Sequence, residues 1–164
     1  MCGMELASEE IDLQILKFSS KVSSLDLKEL LVIFDEANRR LNSFLSEKLI
    51  SYQKDEMAIT IFPIASFIVA WVGEKIAGYV SLLDNYIIGI FVADDFCNCQ
   101  LELNLLNKVK QTIESELEVT IFMKNSFMLE LYLEEGFNIY ECHNSRSSNE
   151  MTVTLFYSDK KITL

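Results

Sequence analysis

Residues 86–106, YIIGIFVADDFCNCQLELNLL, constrain the fold more than any other stretch of the chain. The stretch begins with an apolar run that is typical of a buried strand, breaks at residues 93–95, and continues with leucines at helical spacing. A strand that passes directly into a helix leaves the free N–H groups of the helix N-terminus facing the connecting loop, where they favour an anion. The sequence therefore predicts an α/β fold with an anion-attracting loop at this junction.

Three β-rich runs precede and include this strand. They are residues 66–72 (SFIVAWV), 76–83 (IAGYVSLL) and 86–92, and they are separated by the short turns at 73–75 and 84–85. Strand-like runs joined by so few residues, one turn carrying a glycine, are typical of β-hairpins. The sequence thus predicts an antiparallel three-stranded meander.

A helix follows the meander and leads to a further strand. Residues 100–113 place apolar side chains on one face, and residues 118–123 (EVTIFM) form a short apolar run. A helix between two apolar strands predicts a βαβ unit, in which the strands at 86–92 and 118–123 lie side by side and parallel with a right-handed crossover.

The remaining pattern completes one domain over residues 1–164, with a core at about 11–158. We expect a mixed sheet of six to seven strands flanked by helices. Asp26 is the expected N-cap of a first long helix, and Ser46 that of a second. The other expected elements are strands at 11–18, 137–142 and 151–157, and a helix at 126–135 that ends before Gly136.

The net charge of −11 limits the kinds of partner. Binding to nucleic acid or to an anionic membrane surface requires basic surfaces, so we expect neither. The charge suits a small-molecule amine or a basic peptide, and it is equally compatible with a role in solubility alone.

Four cysteines, Cys2, Cys97, Cys99 and Cys142, occur in a chain whose first residues lack a secretory signal. This usage predicts reduced thiols and a cytoplasmic location. Cys97 and Cys99 have no second cysteine pair, so we predict no metal site. No apolar run has the length of a membrane span.

The element order resembles the GNAT (Gcn5-related N-acetyltransferase) fold. The runs IAGYVSLL and YIIGIFVADDF are similar to that family's third and fourth strands, and the stretch NSFMLELYLEEGF is similar to its pattern N-x-x-A-x-x-F-Y-x-x-x-G-F. The matching positions are Asn125, Tyr132, Gly136 and Phe137, with Met128 in place of the Ala and Leu131 in place of the first aromatic residue.

This resemblance implies transfer of an acetyl or other short acyl group from acyl-CoA to a primary amine. Tyr132 would be the general acid that protonates the departing thiolate of CoA. Asn125 would bind the cofactor, or else cap the following helix. The backbone of Phe91, Val92 and Ala93 would contact the pantetheine arm and the thioester carbonyl. We also expect the strands at 86–92 and 118–123 to diverge at their C-terminal ends, because the cofactor arm needs a gap there.

The loop before the helix departs from the family. The family's acyl-CoA motif R/Q-x-x-G-x-G/A aligns with CNCQLE, so the implied cofactor-binding positions are Cys97, Asn98, Cys99, Gln100, Leu101 and Glu102. Glycines there let backbone N–H groups approach a pyrophosphate, whereas Gln100 adds bulk and Glu102 adds a negative charge. We therefore expect acetyl-CoA to bind weakly, if at all. The alternative hypothesis is a catalytically inactive GNAT-like binding or regulatory module.

No general base is evident in the sequence. We expect Glu74 and Asp84 to be solvated turn residues, Asp94 and Asp95 to begin the helix, and the lone His143 to lie on the surface. The sequence leaves open whether the protein forms a homodimer.

Overall fold

The computed structural model describes residues 16–97 and 100–159. Within these ranges the strands are β1 (Leu16–Ser19), β2 (Ser66–Val72), β3 (Lys75–Leu83), β4 (Tyr86–Val92), β5 (Leu117–Phe122), β6 (Asn138–Asn144) and β7 (Met151–Tyr157). The helices are α1 (Ser24–Leu41), α2 (Glu47–Glu56), α3 (Leu101–Thr112) and α4 (Ser126–Glu134). A π-helical segment, Met57–Ile61, extends α2, and a short 3-10 turn, Asp94–Phe96, follows β4.

The described strands form one mixed sheet of seven strands, in the order β1-β2-β3-β4-β5-β7-β6. The strands β2, β3 and β4 are antiparallel neighbours, which confirms the predicted meander. Its turns use backbone with positive φ, at Gly73 (+61°) and Asp84 (+52°). The predicted α/β fold, a mixed sheet flanked by helices, is confirmed.

The strands β4 and β5 are parallel but remain paired only at their beginnings. Residues 86–87 pair with residues 118–119, and no pairing follows along the described remainder of either strand. The register between β3 and β4 shifts between Ser81 and Leu82, which leaves Ile88 without a partner in a β-bulge. A bulge bends its strand and increases the local twist. The predicted divergence of these strands is thus confirmed, and it begins at the bulge.

Two apolar clusters pack against the sheet. The first joins α3 and α4 to the sheet, through side chains such as Leu105, Val109 and Phe137. The second joins α1 to the sheet and is aromatic at its centre, where the hydroxyl of Tyr79 donates to the carbonyl oxygen of Leu30 at 2.9 Å. Burial of both clusters supplies the main driving force for folding.

Several predicted boundaries need correction. The N-cap of α1 is Ser23, not Asp26: the N–H of Asp26 donates to the Ser23 hydroxyl at 3.1 Å, and the N–H of Ser23 donates to the Asp26 carboxylate at 3.0 Å. In this capping box Asp26 takes the third helical position, so both residues serve the same helix start. The prediction of Ser46 as the cap of α2 is confirmed. Residues 11–15 of the predicted first strand lie outside the described residues.

The cysteines also differ from expectation. Cys97 is disulfide-bonded, whereas Cys142 is a free, exposed thiol. The prediction that all four cysteines are reduced is therefore wrong at Cys97, since composition does not reveal which sulfurs the fold brings within bonding distance. Across residues 16–97 and 100–159, no helix has the length and apolarity that crossing a membrane requires.

Candidate functional site

A cavity of about 220 Å³ lies where β4 and β5 diverge. Its walls come from the bulged part of β4, the end of β5, the inner sides of α1 and α2, and α4. Three residues singled out in the sequence, Phe91, Asn125 and Tyr132, all line this space. We refer to it as the β4–β5 cavity.

Tyr132 is held in the cavity wall by packing. Its side chain is 1% exposed, and its ring lies 5.0 Å from the ring of Phe137, centroid to centroid, in an edge-on arrangement. Burial raises the pKa of the Tyr132 hydroxyl, and Tyr86 adds a smaller effect in the same direction. The hydroxyl therefore keeps its proton at neutral pH and is available as a donor to an anion formed in the cavity.

Asn125 caps α4 and is almost completely buried. Its side-chain oxygen accepts a hydrogen bond from the N–H of Met128 at 3.2 Å. The capping role that the sequence left as an alternative is thus present. The cap uses only the oxygen, so the NH₂ group of the same side chain is the part that a ligand in the cavity can contact.

On the side of β4 that faces the β4–β5 cavity, the backbone N–H and C=O groups do not pair with β3. The N–H of Ala93, just after β4, donates to the carbonyl of Ala77 at 2.9 Å, and Phe91 of β4 pairs with Tyr79. The backbone groups of Phe91 and Ala93 therefore face β3. Hydrogen bonding alternates along an antiparallel pair, which turns the N–H of Val92 toward the gap. Of the predicted backbone donors, the N–H of Ala93 is therefore already used.

An amide cluster on α1 and α2, which the sequence analysis did not identify, forms the opposite wall. The side chain of Asn38 donates to Gln53, and that of Asn42 donates to Asn38, both at 2.8 Å. All three residues line the β4–β5 cavity, and the side-chain oxygen of Asn42 is buried without a partner among the described residues. The i, i+4 spacing of Asn38 and Asn42 was the only signal in the sequence.

Arg40 ties α1 to the end of β4. Its guanidinium donates to the carbonyl oxygen of Val92 at 2.9 Å and forms an ion pair with Asp94. The N–H of Asp94 in turn donates to the carboxylate of Glu36 at 3.0 Å. Asp94 opens the 3-10 turn, in keeping with its predicted position at the start of helical structure. Arg40 and Glu36 act over a separation of more than 50 residues, which no local pattern could reveal.

The N-terminus of α3 differs in kind from the β4–β5 cavity. Gln100 is the N-cap with φ of +54° and no side-chain hydrogen bond to the helix, while Leu101 is completely buried. Glu102 is 3% exposed, and burial raises its pKa, although a hydrogen bond from its own backbone and the charge of Arg40 oppose this. The positive φ of Gln100 is a left-handed backbone conformation, which glycine adopts most readily. Asn98 and Cys99 lie outside the described residues.

The other acids and bases lie away from the β4–β5 cavity. Glu74 and Asp95 line a separate cavity of about 420 Å³, together with the acids Asp26, Glu29, Glu36 and Asp94 and the ring of Trp71. His143 is exposed on β6. In the described part of the chain, no group of three or more His, Cys, Asp or Glu residues is arranged to hold a metal ion.

Comparison with solved structures identifies the fold. The chain superposes on apo YjaB from Escherichia coli with a TM-score of 0.74, at 18% identity, over 87% of this chain and 97% of that one. For a GCN5-related N-acetyltransferase from Rhodopseudomonas palustris the TM-score is 0.71, at 14% identity, over 95% and 99% of the two chains. For the PaiA N-acetyltransferase from Thermoplasma acidophilum, in complex with coenzyme A, it is 0.69, at 13% identity, over 87% and 99%.

These similarities show that the chain has the fold of the GCN5-related N-acetyltransferases. No protein-family model and no curated protein matches its sequence.

Proposed function

We propose that this protein transfers a short acyl group, such as acetyl, from an acyl thioester to a primary amine in the β4–β5 cavity. The single observation that carries the proposal is that one cavity brings together a buried, protonated Tyr132, the side chain of Asn125 and the unpaired edge of β4. These groups are hydrogen-bond donors, which the oxyanion and then the thiolate of an acyl transfer require.

The chemistry follows from the groups present. The amine nitrogen attacks the thioester carbonyl carbon and forms the C–N bond, and the C–S bond then breaks. The N–H of Val92 and the NH₂ group of Asn125 stabilise the negative charge that develops on the carbonyl oxygen. Tyr132 gives its proton to the leaving thiolate, and water accepts the proton that the amine loses. A proton from water then restores the hydroxyl of Tyr132, so no proton is gained or lost overall.

Acyl-CoA is the donor that the fold implies, and only its thioester end matches the residues present in this chain. The thioester end fits the β4–β5 cavity, whose walls are apolar or amide-bearing. The diphosphate end meets Gln100 and the buried Glu102 where close backbone approach would be needed. The catalytic steps above therefore involve only the thioester.

The acceptor is a small-molecule amine or a basic peptide. Although Lys75 also lines it and Arg40 pairs with Asp94, the cavity of about 420 Å³ beside the end of β4 has six carboxylates, those of Asp26, Glu29, Glu36, Glu74, Asp94 and Asp95. Together with the net charge of −11, they create a field that attracts cationic molecules toward this end of the sheet.

The test is thiol release from acetyl thioesters in the presence of a panel of amines, including polyamines and basic peptides. We expect release that depends on the amine, with an acylated amine detected by mass spectrometry. A protein that releases thiol at the same rate with and without every amine in the panel would not be an N-acyltransferase.

A catalytically inactive binding or regulatory module is the second candidate. The buried carboxyl of Glu102 in the first turn of α3 favours it, because a negative charge there opposes an anionic cofactor. The same assay separates the two functions, since a module of this kind shows no turnover with any thioester, including those without a phosphate.

A further inference from the structure

We propose that the acyl donor is a thioester of a pantetheine-type thiol, an extended amide-bearing chain without a diphosphate, because Glu102 already occupies the anion position at the N-terminus of α3. This inference rests on the proposed acyl transfer in the β4–β5 cavity and specifies the donor of that reaction.

The first support is the local structure of α3. The first-turn N–H groups of a helix attract negative charge, and Gln100 leaves them without a side-chain cap. Glu102 lies in this turn, is 3% exposed, and its carboxylate accepts a hydrogen bond from its own N–H. A diphosphate brought to the same N–H groups would meet this carboxyl group, and the charged form of the carboxyl repels an anion and so weakens its binding.

The second support is the ion cluster between α3 and the β4–β5 cavity. Arg40 contacts the carbonyl of Val92 at 2.9 Å and pairs with Asp94, and it is near enough to Glu102 to influence that carboxyl. Its side chain is 14% exposed. This cation at the end of β4 is therefore already neutralised by carboxylates of the chain and is not available to a phosphate.

The third support is the chemistry of the cavity itself. Beside Tyr132 and Thr120, its walls carry aliphatic and aromatic side chains and the amides of Asn38, Asn42, Gln53 and Asn125. The unpaired edge of β4 next to it offers backbone groups that an extended chain with amide groups can pair with, as an added strand would. A neutral amide-bearing thiol matches both features.

The experiment compares three donors that share one thioester: S-acetylpantetheine, S-acetyl-4′-phosphopantetheine and acetyl-CoA. The kcat/KM for each is measured with the wild type, Glu102→Ala, Glu102→Gln and the control Glu114→Ala, which removes an exposed acid beyond the other end of α3. We expect the wild type to prefer S-acetylpantetheine over acetyl-CoA by about tenfold or more, as loss of one charge-assisted contact would give. Both Glu102 variants raise kcat/KM for acetyl-CoA by about tenfold and change that for S-acetylpantetheine less than about threefold, and Glu114→Ala changes neither.

Two other results would contradict the donor assignment, and they differ in what they imply for the proposed acyl transfer. If the wild type uses acetyl-CoA at least as well as S-acetylpantetheine, and the Glu102 variants leave that ratio unchanged, the donor assignment is wrong while the acyltransferase function stands. If no donor supports amine-dependent turnover in any variant, the proposed function itself fails. Circular dichroism of each variant confirms that it is folded, and Glu102→Gln, which retains the shape of the side chain, replaces Glu102→Ala if the latter unfolds.

Discussion

The N-terminus of α3 follows β4, the strand that lines one side of the β4–β5 cavity, yet the two regions differ in the charge of their side chains. The cavity is lined by neutral side chains, among them Asn125 and Tyr132. The α3 N-terminus carries a buried carboxyl and an N-cap with positive φ on a glutamine. A neutral cavity and a helix start that bears a carboxyl group thus adjoin in one fold, and they meet through packing, since Gly78 of β3 lies against both the backbone of Phe91 and the side chain of Leu101.

The largest expected effect concerns the cavity. Tyr132→Phe removes one hydroxyl and keeps the ring that packs on Phe137. If the hydroxyl protonates the thiolate, kcat should fall by roughly 10²–10⁴-fold, the range for a positioned general acid. The measurement is amine-dependent thiol release, and the loss should shrink for a donor with a more acidic leaving thiol.

Tyr140→Phe is the matched control, since Tyr140 is 75% exposed on β6. It loses the same hydroxyl and should keep full activity. Equal rates for wild type and Tyr132→Phe would remove Tyr132 from the mechanism and would leave the cavity with a binding role only.

The second prediction concerns the contact between the two regions. Gly78 of β3 lies where a Cβ atom would approach the carbonyl oxygen of Phe91 to 2.8 Å and a methyl group of Leu101 to 3.2 Å. Gly78→Ala should therefore lower the free energy of unfolding by about 1–3 kcal/mol, the usual cost of overpacking. Urea denaturation measures it.

Gly73→Asn is the control for Gly78→Ala. Gly73 has φ of +61° and nothing within 4 Å of an added Cβ, and asparagine tolerates this backbone well. Its effect should be clearly smaller than that of Gly78→Ala. A larger effect at Gly73 would show that the close packing of β3, β4 and α3 does not limit stability.

The third prediction separates two roles of Asn125. Asn125→Ala loses the cap on the N–H of Met128 and should destabilise the protein by about 0.5–2 kcal/mol. Asn125→Asp keeps a capping oxygen but loses the NH₂ group, so stability should be retained while KM for the thioester rises. If both variants bind and turn over the donor as the wild type does, Asn125 serves only the helix.

The smallest expected effect is the pH dependence due to Glu102. Its pKa is raised in the folded chain by burial, so the folded state holds a proton that the unfolded state releases at lower pH. This contribution to stability is complete below the ordinary carboxyl pKa and is lost as pH rises through the raised pKa of the folded state. Glu102→Gln should therefore gain stability relative to wild type as pH increases from about 4 to about 7. Thermal denaturation at both pH values measures the difference, and a constant difference would contradict the assignment.

The sequence predicted the parts of the molecule whose causes are local. The meander was recognisable from β-rich runs and short turns, and the end of α4 from Gly136, while Asn125 and Tyr132 were singled out by resemblance to a family pattern. The divergence of β4 and β5 was predicted from the need for a gap, while its structural origin, the bulge at Ile88, was not visible in the sequence. Local pattern contains no information about such a register shift.

The residues that the sequence analysis missed act across long separations. Arg40 and Glu36 are ordinary polar residues of a helix until the fold places them at the end of β4. In the amide cluster, the hydrogen bond from Asn38 to Gln53 forms only when α2 packs beside α1, whereas that from Asn42 to Asn38 is local to α1. Glu102 was recognised as an unusual residue in the loop motif, but its burial depends on how α3 packs on the sheet.

The short pairing between β4 and β5 has a mechanical consequence. The half of the sheet from β1 to β4 and the half from β5 to β7 share ladder pairing only at residues 86–87 and 118–119 within the described strands. Beside that seam, Asn85 donates to the carbonyl of Glu116 at 2.8 Å and accepts from the N–H of Glu118 at 3.1 Å. The two halves can therefore rotate about this seam without breaking a ladder hydrogen bond on the cavity side. Such a rotation is resisted by the apolar cluster that packs on both halves, from Val80 and Ile90 to Val119 and Leu155, so side-chain packing and not backbone pairing sets the width of the cavity.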